Sequence, residues 1–208
     1  MRAFTHRSYL NEHREEKGGH NERLEFLGDA VLELATTRYL YDRFPDKPEG
    51  DLTAYRAALV NAVTLSEVAG LLDMNDYLLL SRGEAKDTGR ARGVLLANAF
   101  EALLGAIYLD QGYDAAERFL SKHLLPKTDD ILRQKLWQDA KSSLQEKAQD
   151  AEGITPAYKV LKESGPDHAR EFLVGVYLRE GLLAQGEGKS KQEAEQQAAR
   201  NALASKGW

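Results

Sequence analysis

The sequence predicts an α+β protein of two domains, an all-α domain over residues 1–137 followed by an α-β-β-β-α domain over residues 138–208. Three observations lead there. The first two thirds keep apolar residues at helical spacing. From Asp139 the pattern changes to one helix, three alternating stretches and a closing alanine-rich helix. The 208 residues are enough for one domain or two, each with its own core.

In chain order, residues 22–44 form the first long helix, with Leu24, Leu27, Val31, Leu34, Ala35, Tyr39 and Leu40 as its apolar positions and Phe44-Pro45 as its stop. A turn at 46–50 leads to a second helix over Leu52–Leu72. Ser81 to Arg90 is a polar loop with two glycines, carrying Arg82, Lys86 and Arg90, with Arg92 just beyond. Leu95–Leu109 is again an apolar helix, and Asp114–Leu125 another, ended by Pro126. In the second domain Lys141–Asp150 reads as a helix burying Leu144 and Ala148. Strands follow over Pro156–Glu163, Phe172–Leu178 and Leu182–Glu187. The last helix, Ser190–Lys206, has Ala194, Ala198, Ala199, Ala202 and Leu203 as its buried stripe.

Composition narrows the function classes. There is no cysteine, which excludes disulfides and thiolate metal sites and fits a reducing cytoplasm. No apolar run of membrane-spanning length is expected, and Met1-Arg2-Ala3-Phe4-Thr5-His6-Arg7 lacks the apolar stretch of a secretory signal. Net charge is −5; residues 1–138 hold 18 basic against 22 acidic residues, and residues 139–208 hold 10 against 11. Neither part is basic overall, so binding to a polyanion has to come from local Lys/Arg clusters or from metal ions.

The first long helix contains an anomaly. At 100° per residue, Glu22, Glu25 and Asp29 fall within an arc of about 60°. Asp29 stands between Phe26-Leu27-Gly28 and Ala30-Val31-Leu32. An ionised carboxylate in such surroundings is expensive unless a cation faces it. The Leu95–Leu109 helix repeats the pattern, with Asn98 and Glu101 three residues apart amid Leu95, Leu96, Ala97, Phe100, Leu103 and Leu104. Two apolar helices that each carry oxygen ligands on one face could pack with those faces converging. Hard divalent ions select such oxygens, and a pair of them suits phosphodiester hydrolysis. Ordinary solvated helix faces, with Glu22 and Glu25 paired near Arg23, are the competing reading. Spacing alone does not name the reaction.

Residues 21–32, Asn-Glu-Arg-Leu-Glu-Phe-Leu-Gly-Asp-Ala-Val-Leu, resemble the signature of ribonuclease III, the double-stranded-RNA endonuclease. Further matches, in family order, are Ala3-Phe4-Thr5-His6-Arg7-Ser8-Tyr9, Phe44-Pro45 with Glu49-Gly50-Asp51-Leu52, and Phe100 to Asp110. The resemblance implies that Glu25, Asp29, Asn98 and Glu101 hold metal, with Asp29 and Glu101 the catalytic pair. It implies that Glu22 and Glu49 belong to an acidic active-site valley, Glu49 serving across a homodimer, and that Phe26 plugs a socket on the partner. A plain core phenylalanine fits the sequence equally well. The family usually has Asp where this chain has Asn98. The amide keeps a carbonyl oxygen for Mg²⁺ but removes one charge, so metal affinity is expected to fall. The family also usually has a helix before Ala3, which is expected to be missing or short here.

In the second domain, Gly186-Glu187-Gly188-Lys189-Ser190-Lys191 leads into a helix, placing lysines beside backbone N–H groups expected to be free. Gly165-Pro166-Asp167-His168 makes a turn between strands. Together, in α-β-β-β-α order, they resemble the double-stranded-RNA-binding domain. That resemblance implies Gln145, Glu146 and Gln149 at one minor groove, His168 at the next, and Lys189 and Lys191 on the phosphates between, reading A-form shape rather than sequence. Gln192 stands where the family usually has a lysine, so somewhat weaker and less salt-sensitive binding is expected. Arg82, Lys86, Arg90 and Arg92 are candidates for further backbone contacts, with a solvated loop as the alternative.

The sequence reading is therefore a cytoplasmic, homodimeric endoribonuclease with no membrane partner. Its cofactor is Mg²⁺, with Mn²⁺ the alternative, and it cleaves double-stranded RNA to 5′-phosphate and 3′-hydroxyl ends in processing of ribosomal RNA precursors and turnover of structured transcripts. The rival is a non-catalytic double-stranded-RNA-binding protein weakened at Asn98.

Overall fold

Among the described residues, helices joined by turns and loops occupy the range 1–137, and a three-stranded sheet with two helices follows. The computed structural model describes residues 1–86, 89–134, 137, 139–165 and 170–208, without the side chain of Arg90. The chain divides into two units, Met1–Trp137 and Gln138–Trp208.

The first unit contains α1 (Arg7–Glu12), α2 (Glu22–Arg43), α3 (Glu49–Leu59), α4 (Ala62–Leu71), α5 (Arg90–Gln111), α6 (Tyr113–His123) and α7 (Lys127–Arg133). Its centre is the pair α2 and α5, with α4 and α6 also packed on α5. Val31, Leu32, Ala35, Leu65, Val68, Phe100, Leu104, Leu120 and Leu124 form the main core. By length and composition α5 could cross a bilayer from Ala91 to Gln111, which the sequence reading did not anticipate. Its packing against three helices, with Phe100, Ala102 and Leu104 fully buried, gives it the place of a core helix instead.

Two expectations need correction. The single helix over Leu52–Leu72 is broken into α3 and α4 at Asn61. That residue is extended (ψ 158°), and its side chain accepts a hydrogen bond from the Thr64 N–H at 3.0 Å, starting a new helix. Pro126 does end the run through α6, but it also begins α7, since a helix start needs no N–H from its first residues. The six-residue α1 is too short for periodicity to reveal; the His6 ring caps it by accepting from the Ser8 N–H.

The second unit runs α8 (Ala140–Glu152), β1 (Ala157–Ser164), β2 (Glu171–Leu178), β3 (Gly181–Gly188) and α9 (Lys191–Lys206). The sheet is antiparallel in the order β1-β2-β3. Its inner face presents Phe172, Val174 and Val176 to the alanine stripe of α9, and α8 adds Leu144 and Ala148. The α9 stripe is small because the approach is close: a Cβ on Gly186 would sit 2.1 Å from the Ala198 nitrogen. The α-β-β-β-α order of the sequence reading is the observed one.

Candidate active site and nucleic-acid interface

The acidic faces of α2 and α5 meet because two glycines let the helix backbones touch. A Cβ on Gly28 would lie 1.8 Å from the Glu101 carbonyl oxygen, and one on Gly105 would lie 2.2 Å from that of Leu24. No side chain fits at either point. Gly28 sits between Glu25 and Asp29, so the closest approach of the helices is also where their carboxylates gather. Sequence reasoning missed this role. The available signal was a glycine inside each of two strong helical patterns, which usually marks close packing.

The carboxylates feel one another there. Burial, then the charges of Asp29 and Glu25, push the half-buried Glu101 carboxyl up to about 7. The Glu25 carboxyl is also raised, by burial first and then by Glu22 and Asp29. The expected burial of Asp29 is overturned: its side chain is exposed, as are those of neighbouring Phe26 and Ala30, so this part of α2 carries them on an open side of the helix. The electrostatic cost falls on Glu101. Asn98, half-buried, stands one turn before Glu101 on α5.

Glu22 does not pair with Arg23. Its Oε2 accepts a hydrogen bond from Arg7 Nη2 at 2.7 Å, with His20 Nδ1 at 3.7 Å. Glu49 opens α3, accepts from Thr53 Oγ1 at 2.8 Å, and is among the causes of neither carboxyl shift. It lines a separate cavity of about 430 Å³ with Leu40, Tyr41 and Leu52. Phe26 is 82% exposed, which rules out a core role within this subunit.

An all-oxygen set of mutually repelling carboxylates suits a hard divalent cation, which would relieve the repulsion that raises Glu101. Among the described residues no three His, Cys, Asp or Glu side chains are gathered tightly enough to cage an ion unaided. The sequence reading assigns such an ion to Glu25, Asp29, Asn98 and Glu101.

In the second unit, Gln145, Glu146 and Gln149 are exposed along α8. The start of α8 is tied to α9 by Gln196 Nε2 donating to Asp139 Oδ1 at 2.8 Å and by a Lys141–Glu195 ion pair at 2.6 Å. Lys189 and Lys191 are exposed at the start of α9. The backbone there is less free than expected. Ser190 Oγ accepts from the Glu193 N–H at 3.2 Å, and Glu193 Oε2 accepts from the Lys189 N–H at 2.8 Å. This reciprocal cap occupies two donors that the sequence reading left for phosphate. His168 lies outside the described residues. In the first unit, Arg82 and Lys86 are exposed, whereas Arg92 belongs to α5, with Nη1 buried and lacking a hydrogen bond.

Residues 1–128 match the ribonuclease-III-like family model, and residues 140–206 match the double-stranded RNA binding motif. A protein named Ribonuclease 3 from Pelotomaculum thermopropionicum is 49% identical over 202 residues, covering 97% of this chain and 84% of the relative. One of the same name from Bacillus licheniformis is 50% identical over 203 residues, covering 97% and 81%. Among solved structures, the nuclease domain of ribonuclease III from Campylobacter jejuni, described for flexibility in a region involved in dimer formation, superposes with a TM-score of 0.52. It is 40% identical and covers 60% of this chain and 85% of that one. With likeness to nucleases running the length of the chain, the binding-only alternative is not favoured.

Proposed function

The chain belongs to the ribonuclease III family and is an endoribonuclease specific for double-stranded RNA, and we propose that its catalytic centre is the α2–α5 acidic face, with Asp29 and Glu101 as the catalytic pair. The observation that carries this reading is Glu101, held half-buried against Glu25 and Asp29 where Gly28 and Gly105 bring the helices together. The family is metal-dependent, and we assign Mg²⁺ to Glu25, Asp29, Asn98 and Glu101, with Mn²⁺ suited to the same oxygens. When bound, the metal supplies Lewis-acid charge at the scissile phosphate. Without the metal the Glu101 carboxyl sits near 7, and the ion would bind it in the deprotonated form. Hydrolysis then leaves 5′-phosphate and 3′-hydroxyl ends.

The proposal includes a homodimer. Phe26 is exposed on the same helix as the acidic face, and the cavity lined by Leu40, Tyr41, Leu52 and Glu49 is an apolar receptor of suitable chemistry. Phe26 of one copy entering this cavity of the other would bring Glu49 to the partner's valley, which Glu22 lines on its own side. Gln145, Glu146, Gln149, Lys189 and Lys191 would grip the duplex, with His168 in the β1–β2 connection. Cytoplasmic processing of ribosomal RNA precursors and of structured transcripts is the setting this chemistry fits.

The test is cleavage of long duplex RNA in Mg²⁺. Glu101→Gln is expected to lower cleavage at least about 100-fold while duplex binding persists, and Asn98→Asp to lower the Mg²⁺ concentration needed. A Glu101→Gln protein that still cleaves at the wild-type rate would remove the site assignment.

A further inference from the structure

The Thr5-His6-Arg7-Ser8 stretch does more than begin α1. It is pinned to both halves of the first unit. The Asn21 N–H donates to the Thr5 carbonyl at 2.9 Å, just ahead of the acidic face of α2. On the other side, Leu79 N–H donates to the Phe4 carbonyl at 2.8 Å, His6 N–H to the Leu79 carbonyl at 3.0 Å, and Ser81 N–H to Ser8 Oγ at 3.0 Å. Glu12 Oε2 accepts from the Arg82 N–H at 3.2 Å. Arg7 therefore projects from a backbone fixed at both ends.

Its guanidinium bonds Glu22 Oε2 at 2.7 Å, the Arg7 and Glu22 side chains being 62% and 41% exposed. His20 Nδ1, at 3.7 Å from the same oxygen, is too far for a hydrogen bond. Glu22 is thus the carboxylate of the α2 face that already has a protein cation, while Glu25, Asp29 and Glu101 repel one another.

We propose that Arg7 is a positioning residue for duplex RNA: by holding and neutralising Glu22 at the rim of the acidic face, it removes the charge that would repel the incoming phosphate backbone. The inference rests on the α2–α5 face being the active site. A duplex brings a dense row of phosphates, and each unpaired carboxylate near it raises the work of approach. Metal relieves the inner carboxylates, whereas Glu22 is relieved by Arg7. A single charge about 5 Å from a phosphate in water alters affinity about 3- to 5-fold, and salt screens the effect.

The experiment compares full-length wild type, Arg7→Gln, Arg7→Lys, Glu22→Gln and the Arg7→Gln/Glu22→Gln double variant. KM and kcat for long duplex RNA are measured at low and high ionic strength, with melting temperatures alongside. Arg7→Gln is expected to raise KM about 3- to 5-fold at low salt, with kcat nearly unchanged and the defect fading as salt rises. Arg7→Lys should recover most of it. The double variant, which removes both charges, should return KM to near the wild-type value. Glu22→Gln alone leaves Arg7 unpaired and should lower KM, so the proposal remains testable even if Arg7→Gln folds poorly. A double variant whose KM stays as high as that of Arg7→Gln would overturn the proposal in favour of direct phosphate contact. A loss of kcat together with a lower melting temperature would make Arg7 merely structural and overturn it as well. Failure of the site reading is separate: it would appear as undiminished cleavage by Glu101→Gln, whatever Arg7 does.

Discussion

Both units rely on a missing Cβ, and they put the resulting closeness to opposite uses. In the first, Gly28 and Gly105 let α2 and α5 touch, and like charges are forced together. In the second, Gly186 seats α9 on β3, and Lys189 and Lys191 face outward into water. The first unit holds an unresolved electrostatic conflict that a cation can settle. The second displays a surface whose charges are already solvated. Changes should therefore act steeply in one unit and gradually in the other.

The steepest test is Gly28→Ala. The added carbon would overlap the Glu101 carbonyl, which is backbone and has no rotamer to yield. The helices must separate, with an expected loss of about 3 kcal/mol or more and of cleavage. Unfolding followed by circular dichroism should show the first unit destabilised, while duplex binding by the second persists. Gly50→Ala, on α3 with open space around its Cβ, is the matched control and should gain a few tenths of a kcal/mol from helix propensity.

The conflict at Glu101 should also be visible in pH dependence. Its folded pKa, about 7, lies above the ordinary 4.5, so the folded chain binds the proton more tightly than the unfolded chain. Stability from this group is therefore greatest below pH 4.5, falls as pH rises from 4.5 to about 7, and is flat above. A shift of this size corresponds to about 3 kcal/mol, reduced to about 1 kcal/mol because the group is partly exposed and screened. Urea melts of the chain in chelator at pH 5 and pH 8, set against Glu101→Gln, isolate the contribution. Adding Mg²⁺ should reverse the trend, since the ion requires the deprotonated form.

The contrast also explains what could be read from the residues. Helical period was enough to put Glu22, Glu25 and Asp29 on one face and Asn98 with Glu101 on another, because angle is a local property of the chain. It could not say which carboxylate would be buried. Asp29 looked costly among Phe26, Leu27, Ala30 and Val31, but burial depends on what packs opposite, and Gly105 brings the opposing helix against Leu24 and Gly28 instead. Arg7 was missed as the partner of Glu22 because the two lie 15 residues apart, joined through a turn that periodicity does not describe. The break at Asn61 was hidden by an apolar run that continues on both sides of it. In the second unit, the alanine stripe and the alternating strands are plain in the sequence, whereas the lysine-flanked start of α9 reads as an open phosphate site because spacing does not show that Glu193 fills it.

The smallest expected effects lie at that cap. Lys191→Ala should weaken duplex binding about 3-fold and lower the salt slope by about one unit, equally for all sequences, because a phosphate contact carries no base information. Gln192→Lys should act in the opposite direction by a similar factor. Glu193→Ala sets two small effects against each other. It removes a carboxylate from the phosphate side and frees the Lys189 N–H, which favours RNA. It also removes half of the cap, costing α9 about 0.5–1 kcal/mol. Salt titrations of binding read the first effect and thermal melts the second. If Glu193→Ala tightened binding as α9 became less stable, the acid would be limiting affinity in order to hold the helix. A weaker complex would mean instead that the cap aligns Lys189 and Lys191, and the second unit would then depend on local geometry as much as the first.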